Sequence, residues 1–328
     1  MKYYLLLILY SIINTAYADI FTPTIAKHGM VVTGENIAAQ VGVEVLQKGG
    51  NAIDAAVTVG FVKAVTYPQA GNIGGGGFML IYSAKTKQVI AIDYREKAPA
   101  KATKNMFLDQ KGNVNSNLSR FSHLSAGVPG TVAGMAMALE KYGTISLAEA
   151  LAPAIALAEQ GFIIKHPKAV AIFVKPDGSL YQTGDRFVQT DLANTLKAIA
   201  KKGIKAFYQG KIADLIVKDM QAHGGLISKQ DLANYQPVLR KPIHGTYRGY
   251  DIYSMSPPSS GGVHVVQILN ILENYDIASL GHNTAATIHL MAEAMKRAYA
   301  DRSKYLGDTD FVSVPITGLT SKAYAATL

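Results

Sequence analysis

Residues 71–95 carry the most legible chemistry of this 328-residue chain. They open on Gly71-Asn72-Ile73-Gly74-Gly75-Gly76-Gly77 and close on Arg95. Four consecutive glycines leave no side chain to hold the backbone away from a neighbour or ligand, and they permit positive φ. Phe78 to Ser83 reads as a strand, Ala84 to Lys87 as a turn and Gln88 to Tyr94 as the returning strand. Arg95 lies just beyond, where a rigid hairpin can aim a guanidinium at a fixed point. A planar fork of that kind suits a carboxylate held by two parallel hydrogen bonds. The expectation is half of a recognition site for a carboxylate-bearing small molecule. The plainer alternative is an ion pair between Arg95 and a neighbour such as Glu96.

A second stretch places backbone donors together. Tyr250 to Met255 reads as a strand, runs into Pro257-Pro258-Ser259-Ser260-Gly261-Gly262, and is followed by a helix from Val263 to Asn274. Such a turn exposes N–H groups that could hold an anion. The favoured reading is a tight turn whose serines cap the helix.

Other chemistries lack their residues. There is no GxxxxGK[ST], and the run at 71–77 fails GxGxxG because Met79 stands where the last glycine belongs. No GxSxG elbow is present, and no carboxylate pairing marks a glycosidase. The chain has no cysteine, which removes thiol chemistry and cysteine metal sites. Its eight histidines, at 28, 123, 166, 223, 244, 264, 282 and 289, form no HExxH pair, so no metal and no cofactor is expected.

Stepping outward, the elements that position Arg95 are helical. Asn36 to Lys48 reads as an amphipathic helix closed by Gly49-Gly50. Asn51 caps a second helix, NAIDAAVTVGFVKAV, with Asp54 in its first turn. That helix is apolar or small on nearly every side and should be buried. Thr131 to Tyr142, Leu147 to Gln160, Leu192 to Lys202 and Gly210 to His223 read as further helices, another begins at Ser228, and 163–190 reads as irregular. A last helix starts near Asn283. Its stripe of Ile288, Met291, Met295 and Tyr299 is expected in the core, with Glu293, Lys296, Arg297 and Asp301 on the other face. No linker or repeat divides the chain, so one domain is expected.

Composition agrees with a globular protein: 49% hydrophobic and 17% charged residues. The formal charge is +9, but the lysines are scattered, so it reads as a solvated surface and no nucleic-acid partner is expected. Lys2, the apolar run Tyr3 to Ile13 and Ala16-Tyr17-Ala18 read as a secretory signal over residues 1–18, leaving 19–328 as the mature region and a periplasmic or secreted location. The run is shorter than the ~20 residues a membrane anchor needs. Losing Lys2 with the signal lowers the formal charge only from +9 to +8.

Six segments occur here in one order: GGNAIDAAVTVGFVKAV, GNIGGGGFMLIY, DYREKAPAKATKNMF, GVPGTVAG, PPSSGGVHVVQILNIL and AYADRSKYLGD. Together, from about Ile25 to Ala325, they resemble the large-subunit portion of the gamma-glutamyltransferases, also called glutathione hydrolases. Ser256 departs from a proline that the family often has before Pro257. The resemblance implies an α+β fold, the four-layer αββα sandwich of the N-terminal nucleophile hydrolases, of which this would be the large-subunit part. It implies a precursor that cleaves itself to free a threonine at the start of a small catalytic subunit, because a threonine hydroxyl is a weak nucleophile that an adjacent free α-amine can activate. The acyl group of glutathione or another gamma-glutamyl donor then passes to water, an amino acid or a peptide. By the same resemblance Arg95, in the D-[FY]-R-E motif, grips the glutamyl α-carboxylate.

No threonine here lies in the family's threonine-threonine-histidine context. The expectation is that no catalytic residue lies within these 328 residues, that the nucleophile lies beyond Leu328, and that this sequence is a truncated precursor, a split gene product or one subunit. Sheet edges and inner faces should then be uncovered without the small subunit. Two alternatives stand: a related cephalosporin or glutaryl acylase, and a non-catalytic periplasmic binding protein for glutamyl compounds.

Overall fold

The computed structural model describes residues 23–165, 170 and 173–328. The proposed signal at 1–18 lies outside them. In chain order the main elements are α1 (Asn36–Gln47), α2 (Ala52–Thr66), β1 (Phe78–Ser83), β2 (Gln88–Asp93), α3 (Ser116–Phe121), α4 (Thr131–Tyr142), α5 (Leu147–Gln160), β3 (Phe162–Ile163) and β4 (Arg186–Phe187). They continue with α6 (Thr190–Lys202), α7 (Lys211–Ala222), α8 (Lys229–Asn234), β5 (Val238–Arg240), β6 (Ile243–Tyr247), β7 (Tyr250–Ser254), α9 (Val263–Leu272) and α10 (Ala285–Tyr305), with short helical turns between and after them.

The buried centre is α2, as its sequence requires. Val57, Phe61, Val62 and Val65 are fully buried, and α1, α4 and α5 pack around them. Burying side chains of this size stabilises by about 1.5–3 kcal/mol each. The helix start is over-determined. Asn51 and Asp54 form a reciprocal capping box, and the Asp54 carboxylate also accepts from the Thr144 amide (2.7 Å), the Thr144 hydroxyl (2.6 Å) and the Ile145 amide (3.3 Å). Burial opposes the charge, but these hydrogen bonds outweigh it and hold the Asp54 pKa below the ordinary carboxylate value.

The hairpin forms in the expected register, with Phe78 opposite Asp93 and Ser83 opposite Gln88. Its partner is remote: β5 adds antiparallel to β2, pairing Ala91 with Arg240 and Asp93 with Val238. The stretch 163–190 is less irregular than expected, since β3 and β4 pair across it and Phe187 packs against Phe162, Phe173 and Tyr181.

The Ser-Ser-Gly-Gly turn differs in detail from the expected serine cap. Gly262 is the N-cap of α9, without a side-chain cap. Ser259 instead braces the turn itself, its Oγ accepting from the Gly261 amide at 3.1 Å.

The expected core placement of the α10 stripe is overturned. Ile288, Met291, Met295 and Tyr299 are all exposed, while Thr287, Ala294 and Ala298 are the buried residues. The physical reason is close approach. α10 packs on α9 through its small residues, and Asp301 turns inward to accept from Gln267 Nε2 (2.5 Å) and the Tyr324 hydroxyl (2.9 Å). Leu80 and Tyr82 on β1, Leu239 on β5 and Tyr250 on β7 are exposed as well.

Candidate functional site

The glycine loop is a backbone device. None of Gly74 to Gly77 has positive φ. The glycines are required for contact: a Cβ on Gly76 would lie 2.6 Å from both the Glu96 nitrogen and the Tyr94 carbonyl oxygen, and one on Gly75 would lie 2.7 Å from Asn72 Oδ1. Gly77 extends the hairpin ladder by exchanging both backbone hydrogen bonds with Tyr94 (3.2 and 3.0 Å). The Gly75 carbonyl accepts from the amides of Gly130 (2.7 Å) and Thr131 (3.0 Å), at the N terminus of α4. Val128 and Lys97 exchange another such pair at 2.8 and 3.2 Å. The GVPG loop and the glycine loop thus clamp the chain immediately after β2 from both sides.

Arg95 sits in this clamp with its backbone fixed and its side chain exposed. Its amide donates to Asp93 Oδ1 at 3.0 Å, and its carbonyl accepts from the Tyr235 hydroxyl at 2.8 Å. Among the described residues its guanidinium makes no salt bridge, to Glu96 or any other carboxylate. A second arginine is spent on structure. Arg240 reaches Asp93 Oδ2 through Nε at 2.6 Å and grips Asp310 with two parallel bonds of 2.9 Å. The Asp310 bonds push the guanidinium pKa up, burial works against them, and Asp93 adds to the rise. The same pairing holds the Asp310 carboxyl below the ordinary range.

Arg95 and Arg240 share one cavity of about 780 Å³, with Lys97, Glu96, Arg302 and Phe311 among its lining. The charged lining is balanced, with Arg95, Lys97, Arg240 and Arg302 against Asp93, Glu96, Asp308 and Asp310; Arg240 takes up the aspartates, while Arg95, Lys97 and Arg302 form no salt bridge among the described residues. A carboxylate can pair with these three cations. Lys97 also lies over the Tyr235 ring, 5.5 Å from its centroid. Beneath, Tyr235 stacks on Tyr208 (5.8 Å, 8°), whose hydroxyl donates to the Pro129 carbonyl at 2.9 Å. Burial pushes both phenol pKa values up, keeping these hydroxyls protonated as donors.

Arg95 was legible from its hairpin. Asp93, Tyr235, Arg240 and Asp310 were not singled out, and only Asp93 had a local cue, two residues before Arg95. The other three come from 140 or more residues away and follow no spacing rule.

The chain matches the gamma-glutamyltranspeptidase family over residues 38–328. It is 54% identical over 327 residues to the glutathione hydrolase proenzyme of Escherichia coli (strain K12), covering 94% of this chain and 56% of that protein. It is 43% identical to the acylase ACY 1 proenzyme of Pseudomonas sp. (strain SE83), over 92% of this chain and 58% of the relative. The chain therefore spans little more than half the length of the curated relatives it matches. Among solved structures, the gamma-glutamyltranspeptidase of Helicobacter pylori superposes with a TM-score of 0.89 at 52% identity, over 93% of this chain and 92% of that one. These neighbours, with the mixed helix and strand content, place it in the α+β fold of the N-terminal nucleophile hydrolases. The chain belongs to the gamma-glutamyltranspeptidase family.

Proposed function

We propose that this chain supplies the donor-binding half of a gamma-glutamyltransferase that hydrolyses or transfers from glutathione and related gamma-glutamyl compounds. One observation carries the reading: a backbone-locked Arg95, with no carboxylate partner among the described residues, presents its guanidinium in the lining of a large cavity. That fork receives the glutamyl α-carboxylate. The reaction itself is supplied by a small subunit beginning at threonine, drawn from the part of the relatives' length that this sequence does not span. The threonine Oγ attacks the gamma-carbonyl carbon while its α-amine takes the hydroxyl proton, and the leaving amine departs protonated. Water or an acceptor amine then attacks the acyl-enzyme and releases the threonine.

The exposed stripe of α10 and the open faces of β1, β5 and β7 support a partner that covers them. Export is part of the reading, on the strength of residues 1–18. No helix among the described residues is long and apolar enough to cross a membrane.

The test is turnover of a gamma-glutamyl anilide by this chain alone and after refolding with a small subunit that starts at threonine. Activity only in the mixture is expected, and activity in the chain alone would overturn the assignment of the nucleophile to the partner. The second reading, an acylase, is favoured by the 43% identity to acylase ACY 1. Faster turnover of a glutaryl anilide than of its gamma-glutamyl counterpart would select it: both acyl groups carry the terminal carboxylate that suits Arg95, and they differ in the α-amino group, which only the glutamyl donor has.

A further inference from the structure

Two histidines far apart in sequence meet at the protein surface. His123 opens a 3-10 turn at 123–125, and His223 caps the C terminus of α7. Asp219 lies one helical turn before His223, on the same face. His123 Nε2 is 2.9 Å from Asp219 Oδ2, and His223 Nδ1 is 3.3 Å from Asp219 Oδ1. The imidazoles stack, with centroids 4.6 Å apart at 20°. One donor atom from each of the three residues lies within 4.8 Å of the others. The spacing of the histidines in sequence gave no hint of this, because the third donor is an aspartate and one histidine comes from a separate turn.

We propose that His123, Asp219 and His223 form a binding site for a divalent transition metal of the zinc type. Ligand atoms around a tetrahedral zinc, with bonds of about 2.0–2.2 Å, stand roughly 3.4 Å apart. The two contacts to Asp219, 2.9 and 3.3 Å, lie below that separation, and the stacked imidazoles must turn out of their stack to aim both lone pairs at one ion, which their exposure permits. Two imidazoles and one carboxylate suit zinc, copper or nickel and are too poor in oxygen for calcium or magnesium. The side chains are 37%, 57% and 55% exposed, so an ion has a path in, and water can complete its coordination. His223 Nδ1 also lies 3.0 Å from the Asp219 carbonyl oxygen, a hydrogen bond of the metal-free ring that a metal at Nδ1 would replace. A Cβ added to Gly225 would lie 3.1 Å from both Cβ and the carbonyl oxygen of His123, so the turn already rests against the α7 terminus.

The site has a structural consequence. Val128, five residues after His123, pairs with Lys97, and Gly130 pairs with the glycine loop. A metal here staples the start of the GVPG loop to α7 and stabilises the folded state by binding it preferentially.

The experiment is equilibrium dialysis of the complete protein, stripped with chelator, against zinc chloride alone. The wild type is compared with a His123→Ala/His223→Asn double variant, with His282→Asn as a control outside the cluster. The expected result is one zinc equivalent that the double variant binds at least about tenfold more weakly. Cobalt should give a visible d–d absorption in the wild type and lose it in the double variant, and zinc should raise the Tm of the wild type only. If the double variant does not fold, Asp219→Asn, isosteric and on the same exposed face, gives the same comparison. Equal zinc stoichiometry and equal Kd in wild type and variants would overturn the proposal and leave a hydrogen-bonded His-Asp-His cluster. Neither result depends on whether the glutamyl-transfer reading is right.

Discussion

The Tyr235 hydroxyl donates a 2.8 Å hydrogen bond to the Arg95 carbonyl oxygen, across 140 residues of sequence. Together with the Arg95 amide bond to Asp93, it fixes the backbone on both sides of a side chain that remains exposed. An arginine placed this way loses little further freedom when it meets a ligand, which is what preorganised recognition requires.

In the complete enzyme, Arg95→Lys should raise KM for a gamma-glutamyl donor more than tenfold, about 1.4 kcal/mol or more. Lysine keeps the charge but cannot make two parallel bonds. Steady-state kinetics on a gamma-glutamyl anilide decides it, and an unchanged KM would remove Arg95 from the donor site.

Tyr235→Phe tests the positioning separately from the contact. The stacked ring stays and one hydrogen bond goes, so stability should fall by about 1 kcal/mol. KM should rise by a few-fold with kcat nearly constant. A drop in stability with no change in KM would mean that the bond only supports the fold.

Arg240→Gln removes a buried cation from between two carboxylates. Asp93 is left buried and unpaired by side chains, and a loss of about 3 kcal/mol is expected in urea unfolding. A loss under about 1 kcal/mol would show that the network is no more than a surface pair.

Gly130→Ala should give little folded protein. Its Cβ would overlap the Tyr94 carbonyl oxygen and the Tyr235 hydroxyl, neither of which can retreat without breaking the clamp. Overpacking of this severity costs about 3 kcal/mol or more. Soluble expression and Tm are the readouts, and a wild-type Tm would refute the close approach.

Asp54 gives a pH signature. Its folded-state pKa is depressed, so its contribution is fully present above the unfolded value of about 3.9 and is lost as the pH falls through the lower folded value. Asp54→Asn should lower stability at neutral pH by about 2–4 kcal/mol, since an amide cannot accept at both oxygens from four donors. It should also flatten the acid side of the stability profile. Parallel profiles for wild type and variant would contradict the depressed pKa.

Much of the fold was readable because its signals are local. Asn51 with Asp54, the glycines after α1 and α5, and the hairpin around Ala84 to Lys87 act within a few residues, and the elements they predict form at those places. Arg95 was readable for the same reason, since a hairpin positions its own end.

The stripe on α10 misled because helical periodicity reports which residues share a face, never which neighbour that face meets. There the small side, Ala294 and Ala298, packs inward and the large apolar side faces out. Tertiary structure alone decided what surrounds Arg95. The sequence by itself determined the main helices, the hairpin that ends just before Arg95 and, through six ordered segments, the family. It could not determine that Tyr235 locks the Arg95 backbone, that Arg240 rather than Arg95 takes the carboxylates, or that His123 meets Asp219 and His223. Those contacts join residues 70 to 147 positions apart, and their geometry exists only once the core has packed.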